Sequence, residues 1–169
     1  GFAPSQNEAL ALRPFRPDGR VLESPLPGVV HEAWTDFAFA LKAAPLGAVS
    51  DSGALGMFEM RPKRLADLGL VREVRYARGE GNVQVADWVS PLTREGFLTS
   101  ARQQYEAFVA SMLDYHGAIL AGEIEKPSAA SVSGCLAVLH RGGLRALAQW
   151  GKTQFERTKE LYNLVNGVF

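Results

Sequence analysis

One stretch, residues 50–62, limits what this chain can fold into more than any other part of it. It combines two glycines, an apolar run, a carboxylate and a final proline in the order Ser-Asp-Ser-Gly-Ala-Leu-Gly-Met-Phe-Glu-Met-Arg-Pro. The first four residues favour a turn, and Gly56 allows backbone geometry or a close approach that a Cβ atom would prevent. The apolar run predicts a short strand over 55–60 that contains Glu59. Pro62 suits the first turn of a helix, so we expect a turn, a strand and a helix start.

The composition fits one globular domain with a single core. The chain has 169 residues, 47% of them hydrophobic, and a formal net charge of zero. This balance argues against broad electrostatic capture of nucleic acid or an anionic membrane. No apolar run approaches the ~20 residues that a membrane span needs. The single Cys135 is expected in the core, and without a Cys/His cluster of zinc spacing we expect neither a metal nor another cofactor.

Hydrophobic periodicity predicts a mainly helical α+β domain over 28–169. Residues 1–27 contain five prolines, a density that leaves little regular structure, so they are expected to form an arm or linker. Helices are predicted over 29–43, 62–68, 93–98, 102–120, 131–139, 144–150 and 155–165, with a break at Gly142-Gly143. Besides the strand over 55–60, strands are predicted over 71–76 and 83–89.

Three segments resemble the lysozyme-like superfamily, which includes soluble lytic transglycosylases and phage-type lysozyme-like proteins. Residues 48–62 are similar to the family segment AVS-x-x-GA-x-GLMQ-x-x-P, with Glu59 in place of the glutamine. Residues 133–143 resemble SGLLAAAHLGG, and residues 136–150 resemble LAAYNAGPGRVxxW with Leu139 and His140 at the usual Tyr and Asn. Residues 97–112 are similar to FL-x-x-P-x-x-Q-x-x-AF-x-x-x-M. The segments follow the family order and span about residues 28–165.

The resemblance implies a helical lobe and a small β lobe that flank a sugar-binding groove. It also implies a peptidoglycan-directed muramidase or lytic transglycosylase that acts on the β-1,4 bond between N-acetylmuramic acid and N-acetylglucosamine. The partners would be peptidoglycan glycan strands, and the location periplasmic, secreted or virion-associated. Groove contacts would come from Met57 and Phe58, with His140 at the far wall. A second interpretation of His140 has equal weight: a buried histidine that is hydrogen-bonded to the backbone.

The chain departs from the family where the catalytic glutamate is expected. In the relatives this acid ends the first helix, and the matching positions here are Ala40, Leu41 or Lys42, none of which is acidic. Three explanations stay open. The glutamate was replaced in this chain, or the domain is a natural pseudoenzyme, or another carboxylate protonates the glycosidic oxygen. For the last explanation Glu59 is the first candidate and Asp51, in the preceding turn, is the second.

A non-catalytic role is the alternative from a different functional class. The proline-rich arm over 1–27 would suit a lysozyme-like binding or structural module attached to a larger phage tail or secreted cell-wall assembly. Clearing of purified peptidoglycan distinguishes the enzyme from binding without clearing.

Overall fold

The computed structural model describes residues 21–76, 84–150 and 156–169, so most of the predicted arm lies outside the described residues. Within them the chain is mainly helical and has one two-stranded antiparallel sheet, which confirms the α+β, mainly α class. In chain order the elements are α1 His31–Leu41, α2 Pro62–Asp67, β1 Val71–Tyr76, β2 Gln84–Trp88, α3 Arg94–Leu98, α4 Ala101–Leu120, α5 Val132–Ala148 and α6 Glu156–Val165. No helix in these ranges has the length and apolar character required to cross a bilayer.

The chain divides into two compact units. Unit 1 contains Lys42–Ser111, and unit 2 contains the described part of Phe15–Leu41 together with Met112–Phe169. The boundary at 111/112 falls within α4, so this helix contributes residues to both units. The predicted organisation as an arm over 1–27 followed by one domain over 28–169 stays a prediction.

The predicted strand over 55–60 in unit 1 is wrong, because these residues form a tight turn. Leu55 and Met60 pair through two backbone hydrogen bonds of 2.9 Å, and Glu59 N donates to Gly56 O between them. Gly56 has a φ of +78° and Glu59 a φ of +50°, values that reverse the chain instead of extending it. Leu55 also bridges Val49, so the three predicted strands become one two-stranded sheet and two isolated bridges.

The elements that follow this turn in unit 1 agree with the sequence analysis. Helix α2 begins at Pro62 as predicted, and Gly69, with a φ of +78°, follows its end. Strand β1 then pairs antiparallel with β2, and the register aligns Val74 with Ala86. The ring of Phe58 stacks on Phe108 of α4 at a centroid distance of 4.2 Å and an angle of 11°. This stack places the turn directly on the core of unit 1.

Unit 2 is built from α1, the second part of α4, α5 and α6. Its core includes Phe37, whose ring lies 5.7 Å from Trp34 and 5.1 Å from Phe169. Leu22, within the predicted arm, is buried and its N–H donates to Thr35 Oγ1 of α1 at 2.7 Å. This part of the arm is therefore packed on unit 2 by both apolar burial and a buried hydrogen bond.

Helix α5 has a sharply defined beginning and a break in its second half. The side chain of Ser131 caps the first turn by accepting from Gly134 N at 3.1 Å. The predicted break at Gly142-Gly143 is confirmed, since Gly143 has φ +73° and ψ −166°, a conformation that essentially only glycine adopts. Glycine at this position lets the chain continue as helix on both sides of the break.

Candidate functional site

The turn over 55–60 is held by one buried side chain, Gln104 of α4. Gln104 Oε1 accepts from Met57 N, and its Nε2 donates to Leu46 O and Phe97 O, each at 2.8 Å. A Cβ atom on Gly56 would lie 2.4 Å from Gln104 Oε1, so only glycine leaves room for this arrangement. The backbone at Leu46, Met57 and Phe97 is thus hydrogen-bonded to one amide group of unit 1.

Glu59 occupies this rigid turn in a conformation that glutamate seldom adopts. It is the only non-glycine residue with a positive φ in the described ranges, and its side chain is half-buried. Left-handed backbone at a non-glycine residue costs free energy and is concentrated at functional sites. The strain therefore marks Glu59 as the leading candidate among the predicted site residues.

The strain at Glu59 gives a prediction about stability. We expect the Glu59→Gly variant to be about 1 kcal/mol more stable than the Glu59→Ala variant, because glycine adopts a positive φ without the steric cost that Cβ brings. Both variants remove the carboxylate, so their difference isolates the backbone contribution. Urea unfolding followed by circular dichroism measures it. An alanine variant more stable than the glycine variant would show that the turn is unstrained, because glycine loses more backbone entropy on folding.

Asp51 lies in the preceding turn and is exposed. The turn is closed by Gly53 N, which donates to Ser50 O at 2.9 Å. Ser50 Oγ strengthens it by accepting from Ala54 N at 2.9 Å. The carboxylate of Asp51 is therefore carried by a well-bonded loop of unit 1, but it lies in the high dielectric of the solvent.

Met57 and Phe58 lie in the same turn, with side chains only 1% exposed. Met57 O also accepts from Ala43 N and Ala44 N, at 2.9 and 3.2 Å. The two side chains anchor the turn from its inner side. A glycan at the turn would therefore meet its outer groups, including Glu59, more readily than these two predicted contact residues.

The remaining predicted residues lie at the end of α1 and on α5. Leu41 and Lys42 are buried and Ala40 is half-buried, so the end of α1 carries no carboxylate at the positions matching the family acid. His140 of α5 is 6% exposed. Asp51, Met57, Phe58, Glu59 and Lys42 belong to unit 1, whereas Ala40, Leu41 and His140 belong to unit 2.

Gln104 was not singled out by the sequence analysis, although a signal for it was present. It stands at the glutamine of the FL-x-x-P-x-x-Q-x-x-AF-x-x-x-M segment, four residues before Phe108. Local patterns assign it only to a helix, because its hydrogen-bond partners Leu46 and Met57 are 58 and 47 residues away in the chain.

The described ranges contain no group of three or more His, Cys, Asp or Glu side chains that could hold a metal ion.

Two buried groups of unit 2 have shifted pKa values. Desolvation lowers the pKa of His116 on α4 below its ordinary value of 6.5. Desolvation also raises the pKa of the Cys135 thiol to about 11, against a smaller opposing effect of the Lys126 charge. Cys135 is fully buried, which confirms its prediction as a core residue, and its high pKa makes it a poor nucleophile at neutral pH.

The buried His116 predicts a pH dependence of stability. Its pKa is lower in the folded state than in the unfolded state, so the unfolded chain takes up the proton first as the pH falls. We expect the free energy of unfolding to be unaffected by this group above pH 6.5 and to decrease below it until the folded-state pKa is reached. Urea unfolding measures the effect at pH values from about 5 to about 8, a range that extends ~1.5 pH units to either side of the ordinary histidine pKa. A His116→Gln variant with an unchanged pH dependence would contradict it.

Comparison of the chain with protein-family models, with curated proteins and with solved structures finds no match.

Proposed function

We propose that this chain is a peptidoglycan-directed glycan-cleaving domain in which Glu59 supplies the acid. The observation that carries the proposal is the left-handed backbone of Glu59 in a turn that Gln104 holds rigid. A catalytic carboxyl group must be held in a fixed position relative to the bond it protonates, and buried supporting side chains provide this. The resemblance of residues 48–62 to the transglycosylase segment supplies the substrate class.

In this proposal the carboxylic acid of Glu59 donates its proton to the oxygen of the β-1,4 bond as that bond breaks. The resulting carboxylate can then act as a base on the attacking group. That group is a water molecule in hydrolysis, or a hydroxyl of the muramic acid itself in transglycosylation. Transglycosylation needs only one carboxylate. Hydrolysis can use two, and Asp51 is the candidate for the second carboxylate.

The proposal predicts that Glu59→Gln abolishes clearing of purified peptidoglycan sacculi. Glutamine retains the shape of glutamate but has no acidic proton, so we expect the clearing rate to fall by a factor of about 10²–10⁴. Turbidity gives the rate, and mass spectrometry of the products separates reducing ends from anhydro ends. Glu73→Gln is the matched control, because Glu73 is an exposed glutamate on β1 of the same unit.

Full clearing by the folded Glu59→Gln variant would exclude Glu59 as the acid. If the Asp51→Asn variant instead fails to clear sacculi, Asp51 becomes the candidate for the catalytic acid. Circular dichroism of each variant shows that the lost rate is not lost folding.

A second candidate function is a non-catalytic glycan-binding or structural module of a larger assembly. It is favoured by the end of α1, where Ala40, Leu41 and Lys42 provide no acid. In this case the wild-type chain would sediment with sacculi without clearing them, and Glu59→Gln would sediment equally. Absence of both binding and clearing would contradict both functions.

A further inference from the structure

We propose that Asn166 and Gly167 form a deamidation site that Ser131 keeps closed, so that the modification occurs when the end of α6 opens from α5. The two residues directly follow α6, and both are exposed to water. An asparagine followed by glycine is chemically suited to this reaction, because glycine has no side chain to shield its backbone nitrogen. The site belongs to unit 2 and is independent of the function proposed above.

The reaction needs no partner other than water. The backbone nitrogen of Gly167 gives up its proton and attacks Cγ of Asn166, while the Cγ–Nδ2 bond breaks and ammonia leaves with that proton. The succinimide ring that results then takes up water and opens at one of its two C–N bonds. One opening gives aspartate. The other gives isoaspartate, in which the main chain runs through Cγ and is longer by one methylene group.

Ser131 binds both groups that have to react. Its backbone N–H donates to Asn166 Oδ1 at 2.8 Å, and Gly167 N donates to Ser131 Oγ at 2.7 Å. The first bond fixes the side-chain amide, and the second stabilises the proton on the nitrogen that has to lose it. Gly134 of α5 restricts the amide further, since Asn166 Cγ lies 3.1 Å from the place where a Cβ on this glycine would be. In the closed arrangement the nitrogen is therefore a poor nucleophile, and the side chain has little room to turn towards it.

The bonds that follow Gly167 show what the modification changes. Ser133 N donates to Phe169 O, and Phe169 N donates to Ser133 Oγ, each at 3.1 Å. Isoaspartate at position 166 lengthens the main chain, so the bonds to Ser131 and Ser133 cannot all form again. Aspartate leaves the main chain unchanged, and its carboxylate accepts from Ser131 N near the beginning of α5, where the helix dipole favours a negative charge. Isoaspartate thus makes the opening permanent, whereas aspartate allows closure.

The test follows deamidation of the intact chain by tandem mass spectrometry during incubation in neutral buffer. The exchange of ammonia for water is read at Asn166, with Asn163 of α6, which precedes a leucine, as the internal reference. We expect Ser131→Ala to raise the rate at Asn166 about fivefold, because loss of one hydrogen bond increases the open fraction by about that factor. Ser131→Thr, which retains the oxygen, should keep the wild-type rate. An unchanged rate in folded Ser131→Ala would overturn the proposal.

Thr93→Ala is the matched control for the loss of a helix cap. Thr93 Oγ1 caps α3 of unit 1 by accepting from Gly96 N at 2.9 Å, so this variant removes a cap of the same kind but no bond of Asn166 or Gly167. The rate at Asn166 should stay unchanged. Equal acceleration by Thr93→Ala and Ser131→Ala would overturn the proposal, since global unfolding, and not local opening, would then expose the site.

A measurement on the wild type keeps the test valid even if Ser131→Ala does not fold. Hydrogen exchange of the Gly167 amide gives the fraction of time during which its bond to Ser131 is open. The deamidation rate in native buffer, divided by the rate in urea, should equal this fraction. After long incubation, the isoaspartate form should have lost the protection of the Gly167 and Phe169 amides, and the aspartate form should have kept it. A native rate equal to the rate in urea, in a chain whose Gly167 amide is protected, would overturn the proposal.

Discussion

Replacement of Gln104 with methionine is expected to lower the free energy of unfolding by about 3–5 kcal/mol. Methionine fills a similar volume but forms none of the three 2.8 Å hydrogen bonds to Leu46 O, Met57 N and Phe97 O. Each buried backbone group that loses its partner costs about 1–3 kcal/mol. Urea unfolding measures the loss, and the same variant should lose any activity that depends on the position of Glu59.

The neighbouring glutamine provides the matched control. Gln103→Met makes the same chemical change one residue earlier on α4, where the side-chain oxygen forms no hydrogen bond to a described residue. We expect no loss of stability and a gain of about 1 kcal/mol, because the change removes a buried acceptor that has no partner. Equal losses in the two variants would mean that helix packing, and not the hydrogen bonds of Gln104, accounts for the effect.

Substitution of Gly134 with alanine is expected to cost about 2–3 kcal/mol in unit 2. The added Cβ would lie 2.4 Å from Asn166 Oδ1 and 2.8 Å from Tyr162 Cε2, so these two side chains of the chain segment that packs on α5 have to move. Insertion of a methyl group into a close-packed contact costs about 1–3 kcal/mol. The shift would also weaken the 2.8 Å hydrogen bond from Ser131 N to Asn166 Oδ1.

A second helical glycine makes this prediction specific. A Cβ on Gly117 of α4 would meet no atom within 4 Å, and the residue is exposed. Gly117→Ala should therefore stabilise the protein by about 0.5–1 kcal/mol through the better helix propensity of alanine. Thermal unfolding of the two variants should give shifts of opposite sign, and a destabilised Gly117→Ala would contradict the explanation.

The sequence predicted those helices, strands and breaks that are determined by residues within or next to the element itself. Pro62 and Gly69 mark the two ends of α2, and the alternation of apolar and charged residues over 71–76 matches β1. The break at Gly142-Gly143 is likewise a property of residues without a side chain. In each case the decisive residue restricts the backbone irrespective of distant partners.

The turn over 55–60 could not be predicted in this way. An apolar run is compatible with a strand, and glutamate gives no local indication of a positive φ. The turn depends on Gln104, which is 47 residues from Met57 in the chain. The candidate acid was therefore identifiable from the sequence, but its strained conformation and the amide that holds the turn required the three-dimensional structure.

The order of the two units along the chain has a consequence for synthesis on the ribosome. The described residues of unit 1 lie between positions 42 and 111, whereas Phe37 and Phe169 of unit 2 can meet only after residue 169 has been made. In the sequence, Lys42–Ser111 of unit 1 thus separates the two segments of unit 2, and contacts of such long sequence separation form slowly. Nascent chains long enough for residue 111 to have left the ribosomal tunnel should already protect the Phe58–Phe108 stack, while Trp34 should stay accessible until Phe169 has also emerged.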